Sequence, residues 1–158
     1  MKTIIVTGTP CTGKTTVAKN IAKLLKFKYI DVNKIIKSNN LSTYYDKKRK
    51  TNVVDTNMLN KVLSNIIEKS SKGLVIDSHL SHYLSNKLVD LCIVTKCNLK
   101  ILQKRLRTRK YNESKIRENL EVEIFDICLN EAIENKHNII IIDTSQKVNY
   151  KEIINKIH

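Results

Sequence analysis

Gly8, Gly13, Lys14 and Thr15 fill the fixed places of the pattern Gly-x-x-x-x-Gly-Lys-Ser/Thr, which this chain spells Gly8-Thr-Pro-Cys-Thr-Gly13-Lys14-Thr15. Each of these residue types has a task in gripping phosphate. The two glycines let the backbone curl until successive N–H groups point inward at phosphate oxygens, and a helix starting at the loop adds the positive end of its dipole. Lys14 would bring an ammonium to the β- and γ-phosphates of ATP, and the Thr15 hydroxyl would offer a ligand to Mg²⁺. Pro10, Cys11, Thr12 and Thr16 complete the stretch expected to bind the nucleotide. The plainer alternative is a glycine turn before an ordinary helix, with Lys14 in solvent.

Four other residues could serve the same chemistry. Asp77 closes the run Gly73-Leu-Val-Ile-Asp77, and in phosphate-loop folds an aspartate ending a neighbouring strand lies opposite the loop, where it can hold Mg²⁺ directly or through water. A helix cap is the other reading of Asp77. His79 stands two residues further on, where it is either a catalyst or a hydrogen-bonding core or surface residue. Arg105 and Arg109 are four apart and therefore share one helix face. They could clamp phosphates bidentately or form a solvated basic face, and their clustering with Arg107 and Arg117 in a Lys-rich chain favours the clamp.

These residues need elements to hold them. Ile4, Ile5 and Val6 form the continuous apolar run of a central parallel strand ahead of the loop, and Val17, Ile21, Leu24 and Leu25 form a helix stripe behind it. Lys28–Asp31 reads as a short strand, and Val32, Ile35 and Ile36 as a brief helix. The polar stretch from Lys37 to Lys50 has no long hydrophobic period and reads as a mobile functional insert or a solvated connection. Asp55 is an N-cap for a helix carrying Leu59, Val62, Leu63, Ile66 and Ile67. Residues 88–95 form the fourth strand, followed by a helix capped by Asn98 with Leu99, Leu102 and Leu106 on one side. One long helix is expected from about Ser114 to Asn135, with Ile116, Leu120, Ile124, Ile127 and Cys128 facing inward. Residues 138–143 give the fifth strand, and residues 148–157 a closing helix. Strands alternating with helices give an α/β fold with a parallel sheet whose ligand sits at the carboxyl ends of the strands.

Composition sets outer bounds. A chain of 158 residues, 41% hydrophobic, suits one domain and one sizeable core. No apolar run approaches a membrane span and no signal-peptide pattern is present, so a cytoplasmic, non-membrane protein is expected. Cys11, Cys92, Cys97 and Cys128 show no Cys-x-x-Cys pairing and read as incidental or buried thiols. The net charge of +14 exceeds what nucleotide phosphates require, which leaves room for an RNA or ribonucleoprotein partner, although a Lys- and Asn-rich composition explains part of it.

The order of phosphate loop, polar insert, Asp77-Ser-His79 and Arg105-x-x-x-Arg109-x-Tyr111-Asn112 resembles the small nucleoside monophosphate kinases, specifically the adenylate kinase isoenzyme 6 family of archaea and eukaryotic nuclei. Tyr29-Ile-Asp-Val32, Tyr45-Asp46, Asp55, Glu118-Asn119-Leu-Glu121 and Glu123-Ile-Phe125 fall in the family's order as well. The resemblance implies a three-layer P-loop NTPase with a five-stranded parallel sheet of order 2-3-1-4-5. It also implies a monophosphate-binding arm at about residues 32–54 and a short lid at about 109–116, all in one domain and one monomer. Lys14 and Thr15 would serve ATP and Mg²⁺, Asp77 the metal, His79 a water-positioning or switch role, and Arg105 and Arg109 the phosphates. Three positions depart from the family: Lys37 where an arm arginine is usual, Lys110 in place of a lid glycine, and Cys11 where glycine is common.

Three activities stay open on this basis. The chain could be an adenylate kinase converting ATP and AMP to two ADP. It could be an ATPase that engages a platform ribosomal protein and rRNA during small-subunit maturation. It could also be a P-loop kinase for another small acceptor.

Overall fold

The computed structural model describes residues 2–49 and 51–157. The chain runs β1 (Thr3–Gly8), α1 (Lys14–Leu25), β2 (Lys28–Asp31), α2 (Val32–Ser38), β3 (Ser42–Asp46), β4 (Thr51–Val54), α3 (Thr56–Glu68), β5 (Leu74–Asp77), two short 3₁₀ turns, β6 (Leu91–Lys96), α4 (Leu99–Thr108), α5 (Glu113–Ile124), α6 (Ile127–Glu134), β7 (Ile139–Asp143) and α7 (Tyr150–Ile157). The main sheet has the order β2-β5-β1-β6-β7 with every pair parallel. Leaving out β3 and β4, which pair only with each other, this is the expected 2-3-1-4-5.

Alternation along β1 sorts the core into two layers. Ile5 points to a cluster with Leu59 and Leu63 of α3 and Ala132 of α6. Ile4 and Val6 point the other way, to Val17 and Ile21 of α1 and Ile153 and Ile157 of α7. Both faces are covered, which is why β1 is apolar without interruption. A third and much smaller cluster, Cys97, Leu102, Leu106 and Ile116, joins α4 to α5. Few buried apolar contacts put that pair of helices at the low-stability end of the molecule, where moving parts belong.

Two expectations need correction. The polar stretch after α2 is neither a bare connection nor featureless: β3 and β4 pair antiparallel, Asp46 with Thr51 and Ser42 with Val54. The expected single helix from Ser114 to Asn135 is broken at Asp126, whose φ of 51° lies in the left-handed region. Asp is one of the few residues that adopts this conformation readily, and here its carboxylate pairs with Lys96 Nζ at 2.6 Å, which holds the turn. The break rotates Ile124 and Ile127 out of the core, to 54% and 39% exposure, while Ile116 and Cys128 stay buried. Leu24 and Leu99 are exposed too, so the stripes of α1 and α4 are narrower than their sequences suggest.

Other local expectations hold. The Asp55 carboxylate accepts from the Met58 N–H at 3.0 Å and caps α3. Asn98 caps α4 through the Lys100 N–H. All four cysteines are free thiols, with Cys11 half-buried and the others buried.

Candidate active site

The loop between β1 and α1 sits at the carboxyl end of the central strand. Gly8 has φ +141°, and a Cβ placed on it would lie 2.6 Å from the Thr95 carbonyl oxygen on β6. Gly13 caps α1 at φ 89°. Cys11 takes a left-handed φ of 68° without being glycine, a strain of about 1–2 kcal/mol for an L-residue. Because the Thr95 carbonyl as well as the Thr95 hydroxyl blocks Gly8, whose φ side-chain-bearing residues rarely adopt, Gly8→Ala should destabilise the protein by about 2 kcal/mol in urea unfolding, and a loss below about 0.5 kcal/mol would mean that β1 and β6 can part at no consequence.

Thr9 organises the loop from beneath. Its carbonyl accepts from Lys14 Nζ at 2.9 Å, from the Thr12 N–H at 3.2 Å and from the Thr12 hydroxyl at 2.7 Å. Thr12 is fully buried and also meets the Thr95 hydroxyl at 2.7 Å, so it props the loop from inside while Pro10, Cys11, Gly13, Lys14, Thr15 and Thr16 line the cleft. Burial holds the Lys14 ammonium below its ordinary range and Arg109 adds to that, against a smaller opposing pull from Asp77.

Asp77 ends β5 opposite the loop, as its place in the sequence suggests. Its Oδ2 accepts from the Thr15 hydroxyl at 2.6 Å and from the Tyr29 hydroxyl at 2.8 Å. Burial, then the bond to Asp77, pushes the Tyr29 phenol up, so it remains a donor at all ordinary pH. A hydroxyl and a carboxylate side by side at the lip of a phosphate loop suit Mg²⁺, which keeps one or two protein ligands and takes the rest from phosphate and water. Among the described residues there is no cluster of three or more His, Cys, Asp or Glu that could cage a metal.

His79 lies in the wall of the same cleft. His79 is exposed at the mouth of the cleft, yet partial desolvation there, with Lys14 and His82 nearby, pushes its imidazole down to about 4, so it is neutral at pH 7. The two arginines part company. Arg105 donates from Nη1 to the Thr144 hydroxyl at 3.0 Å and from Nη2 to the Thr144 carbonyl at 2.9 Å, and so ties α4 to the end of β7. Arg109, at the carboxyl end of α4, borders both the phosphate cleft and the pocket beside it.

Three cavities run together. A pocket of about 630 Å³ between α4 and the β7–α7 connection is lined by Val17, Arg105, Thr144, Val148 and Tyr150. It shares Cys11, Gly13, Thr16 and Arg109 with the phosphate cleft of about 340 Å³. That cleft shares Asn33, Thr51 and His79 with a third pocket of about 500 Å³, walled by α2 and the β3–β4 hairpin and including Lys37. Elsewhere, Arg49 in the turn of the hairpin meets Glu118 of α5 at 3.3 Å. Lys110 adopts φ 58°, so the position at which the resembled family carries glycine takes a left-handed turn with a lysine.

Sequence reasoning gave no role to several polar groups packed around this site. Glu123 is buried and reaches the Thr9 hydroxyl at 2.6 Å. His82 is buried between the Thr7 hydroxyl at 2.7 Å and Glu131 at 2.8 Å. Both sit on helical segments where a Glu or a His ordinarily signals a solvated face, so nothing in the local pattern marks them.

Comparison with known proteins supplies an independent line. A family described as an AAA domain matches residues 4–126. An adenylate kinase isoenzyme 6 homolog of Schizosaccharomyces pombe is 39% identical over 141 residues, covering 89% of this chain and 79% of its own. Another adenylate kinase isoenzyme 6 homolog, from Caenorhabditis elegans, is 36% identical over 132 residues, covering 84% of this chain and 72% of its own. Among solved structures, shikimate kinase from Acinetobacter baumannii superposes with a TM-score of 0.64 over 99% of this chain and 90% of that one, at 15% identity, a likeness of fold.

Proposed function

The chain belongs to the adenylate kinase isoenzyme 6 family, and from that premise we propose that it transfers the terminal phosphoryl group of ATP to AMP, giving two ADP. One observation carries this reading: two pockets, of about 630 and 500 Å³, border a single phosphate cleft through different sets of residues. Hydrolysis alone would need only one of them.

In this reading the pocket beside Tyr150 and Val148 takes the base of ATP, and the loop takes its phosphates. The arm, residues 32–54, holds the acceptor phosphate near Lys37 and Asn33. A lid at residues 109–116 brings Arg109 over the transferring group. Phosphoryl transfer asks little covalent chemistry of the protein, so positioning and charge do the work. Lys14 and Arg109 offset the charge that builds on the phosphoryl oxygens. Mg²⁺, held by Thr15 and Asp77, would neutralise and orient the phosphates when bound. Arg105 acts at one remove, by fixing α4 against Thr144. Lys37 is a point charge where a guanidinium would give a bidentate grip, which predicts a high KM for the monophosphate.

A second reading has its own support. The neutral imidazole of His79 faces the cleft that holds Lys14, a place from which it could orient water, and the +14 charge exceeds what two nucleotides need. An ATPase that works with a ribosomal protein and rRNA in small-subunit maturation would use both features. His79→Gly should then lower hydrolysis at least about tenfold more than transfer, since only hydrolysis requires an oriented water. Equal losses in the two rates would assign His79 to the metal site or to the framework.

The deciding experiment is a panel of nucleoside monophosphates and shikimate with MgATP, read as ADP formed with and without acceptor. AMP-dependent ADP formation well above the acceptor-free rate is the expected result. An acceptor-independent rate would favour the ATPase, and activity only with a non-adenine acceptor would overturn the assignment of AMP.

A further inference from the structure

Two acidic side chains among the described residues are buried, Asp77 and Glu123. Asp77 belongs to the cleft. Glu123 lies behind it, on the last turn of α5, the helix that begins in the lid. Its Oε2 accepts from the Thr9 hydroxyl at 2.6 Å, and its Oε1 accepts from the Cys97 N–H at 3.0 Å and lies 2.9 Å from Lys96 Nζ.

Lys96 is itself held by Asp126 at 2.6 Å and by the Glu123 carbonyl at 3.0 Å. Burial would lower its pKa, but the two carboxylates together outweigh burial and hold the ammonium above its ordinary range. The group Glu123, Lys96 and Asp126 therefore carries one net negative charge close to a loop that must bind phosphate. On Coulomb grounds that charge opposes binding. On stability grounds a buried ion pair is often no better than apolar residues of the same volume. Neither ground accounts for a carboxylate here, whereas its geometry does.

Three donors converge on its two oxygens, and one of them is Thr9, whose carbonyl supports Lys14 and Thr12. We propose that Glu123 is a positioning residue for the phosphate loop: by fixing the Thr9 hydroxyl it sets the carbonyl on which the Lys14 ammonium rests, and so sets the grip on nucleotide phosphate. The chain of contacts also joins the far end of the lid helix to the loop. The proposal rests on the reading of this loop as the ATP phosphate site.

The test is titration calorimetry with MgATP, alongside thermal unfolding, on wild type, Glu123→Gln, Thr9→Val, Thr9→Ser and the double variant Thr9→Val/Glu123→Gln. An amide has one acceptor oxygen and cannot serve three donors as a carboxylate does. Glu123→Gln and Thr9→Val should each weaken ATP binding about tenfold, the size of one hydrogen bond to a charged group. The double variant should be no weaker than the worse single one, because both cut the same link. Thr9→Ser, which keeps the hydroxyl, should bind within about twofold of wild type.

A purely electrostatic role predicts tighter binding in Glu123→Gln, and a purely structural role predicts a lower unfolding temperature with unchanged affinity. Either result overturns the proposal, as does Thr9→Ser failing like Thr9→Val. If Glu123→Gln does not fold, the Thr9 pair decides alone. Failure of the wild type to bind ATP would overturn the functional reading and the proposal with it, whereas wild-type binding with unaltered variants overturns the proposal only.

Discussion

Lys14→Ala is expected to keep its fold and lose both phosphoryl transfer and ATP hydrolysis by about three orders of magnitude, the upper range for removing one preorganised charge at a transition state. The fold should survive because Lys14 adds little to the core. Burial works against its ammonium in the folded state, so truncation removes an unfavourable solvation term together with a single bond to the Thr9 carbonyl. Its midpoint of thermal unfolding should stay within a few degrees of wild type, equivalent to less than about 1 kcal/mol. Steady-state ADP formation with and without AMP, measured beside that midpoint, checks the claim. Retained hydrolysis with lost transfer would show that Lys14 is not the clamp common to both reactions.

The second large effect is expected at Arg109. The two guanidiniums share a helix face, yet only Arg105 is engaged by Thr144, which leaves Arg109 as the cation of the pair bordering the phosphate cleft. A guanidinium placed where charge develops is worth more in the transition state than in the bound substrate. Arg109→Ala should therefore lower AMP-dependent turnover about a hundredfold while weakening ATP binding less than about tenfold. In the proposed mechanism closure of residues 109–116 would exclude water from the transfer reaction, so basal hydrolysis should fall less than transfer does. Unchanged rates would return Arg109 to the status of a solvated charge, and equal losses in affinity and turnover would show that it binds ATP uniformly.

The sequence disclosed the parts of this molecule that obey a local rule. The phosphate loop announces itself through residue types that only one geometry uses, and the three central strands, β1, β5 and β6, through apolar runs that demand cover on both faces. The caps at Asp55 and Asn98 were legible for the same reason. What escaped was set by packing at a distance. The β3–β4 hairpin has little buried face, so Ser42–Asp46 shows none of the alternation that marks a half-buried strand. The break at Asp126 carries no Gly or Pro, and it depends on Lys96, thirty positions earlier, for its counter-charge. Glu123 looked like one more polar residue on an amphipathic helix, because its partners Thr9, Lys96 and Cys97 lie on β6 and the loop. Arg105 and Arg109 were indistinguishable in sequence, and the bonds of Arg105 to Thr144 at the end of β7 and to the Cys11 carbonyl separate it from Arg109, which lines the cleft.

The contact between Arg49 and Glu118 joins the turn of the β3–β4 hairpin to α5, so the arm and the lid of the proposed mechanism would separate only by parting this pair. With both side chains well exposed, at 64% and 45%, the pair is screened by solvent and contributes at most about 1 kcal/mol, a factor of about five in the open population. In the proposed mechanism such a pair would slow the parting of arm and lid without locking them, and added salt would weaken that hold.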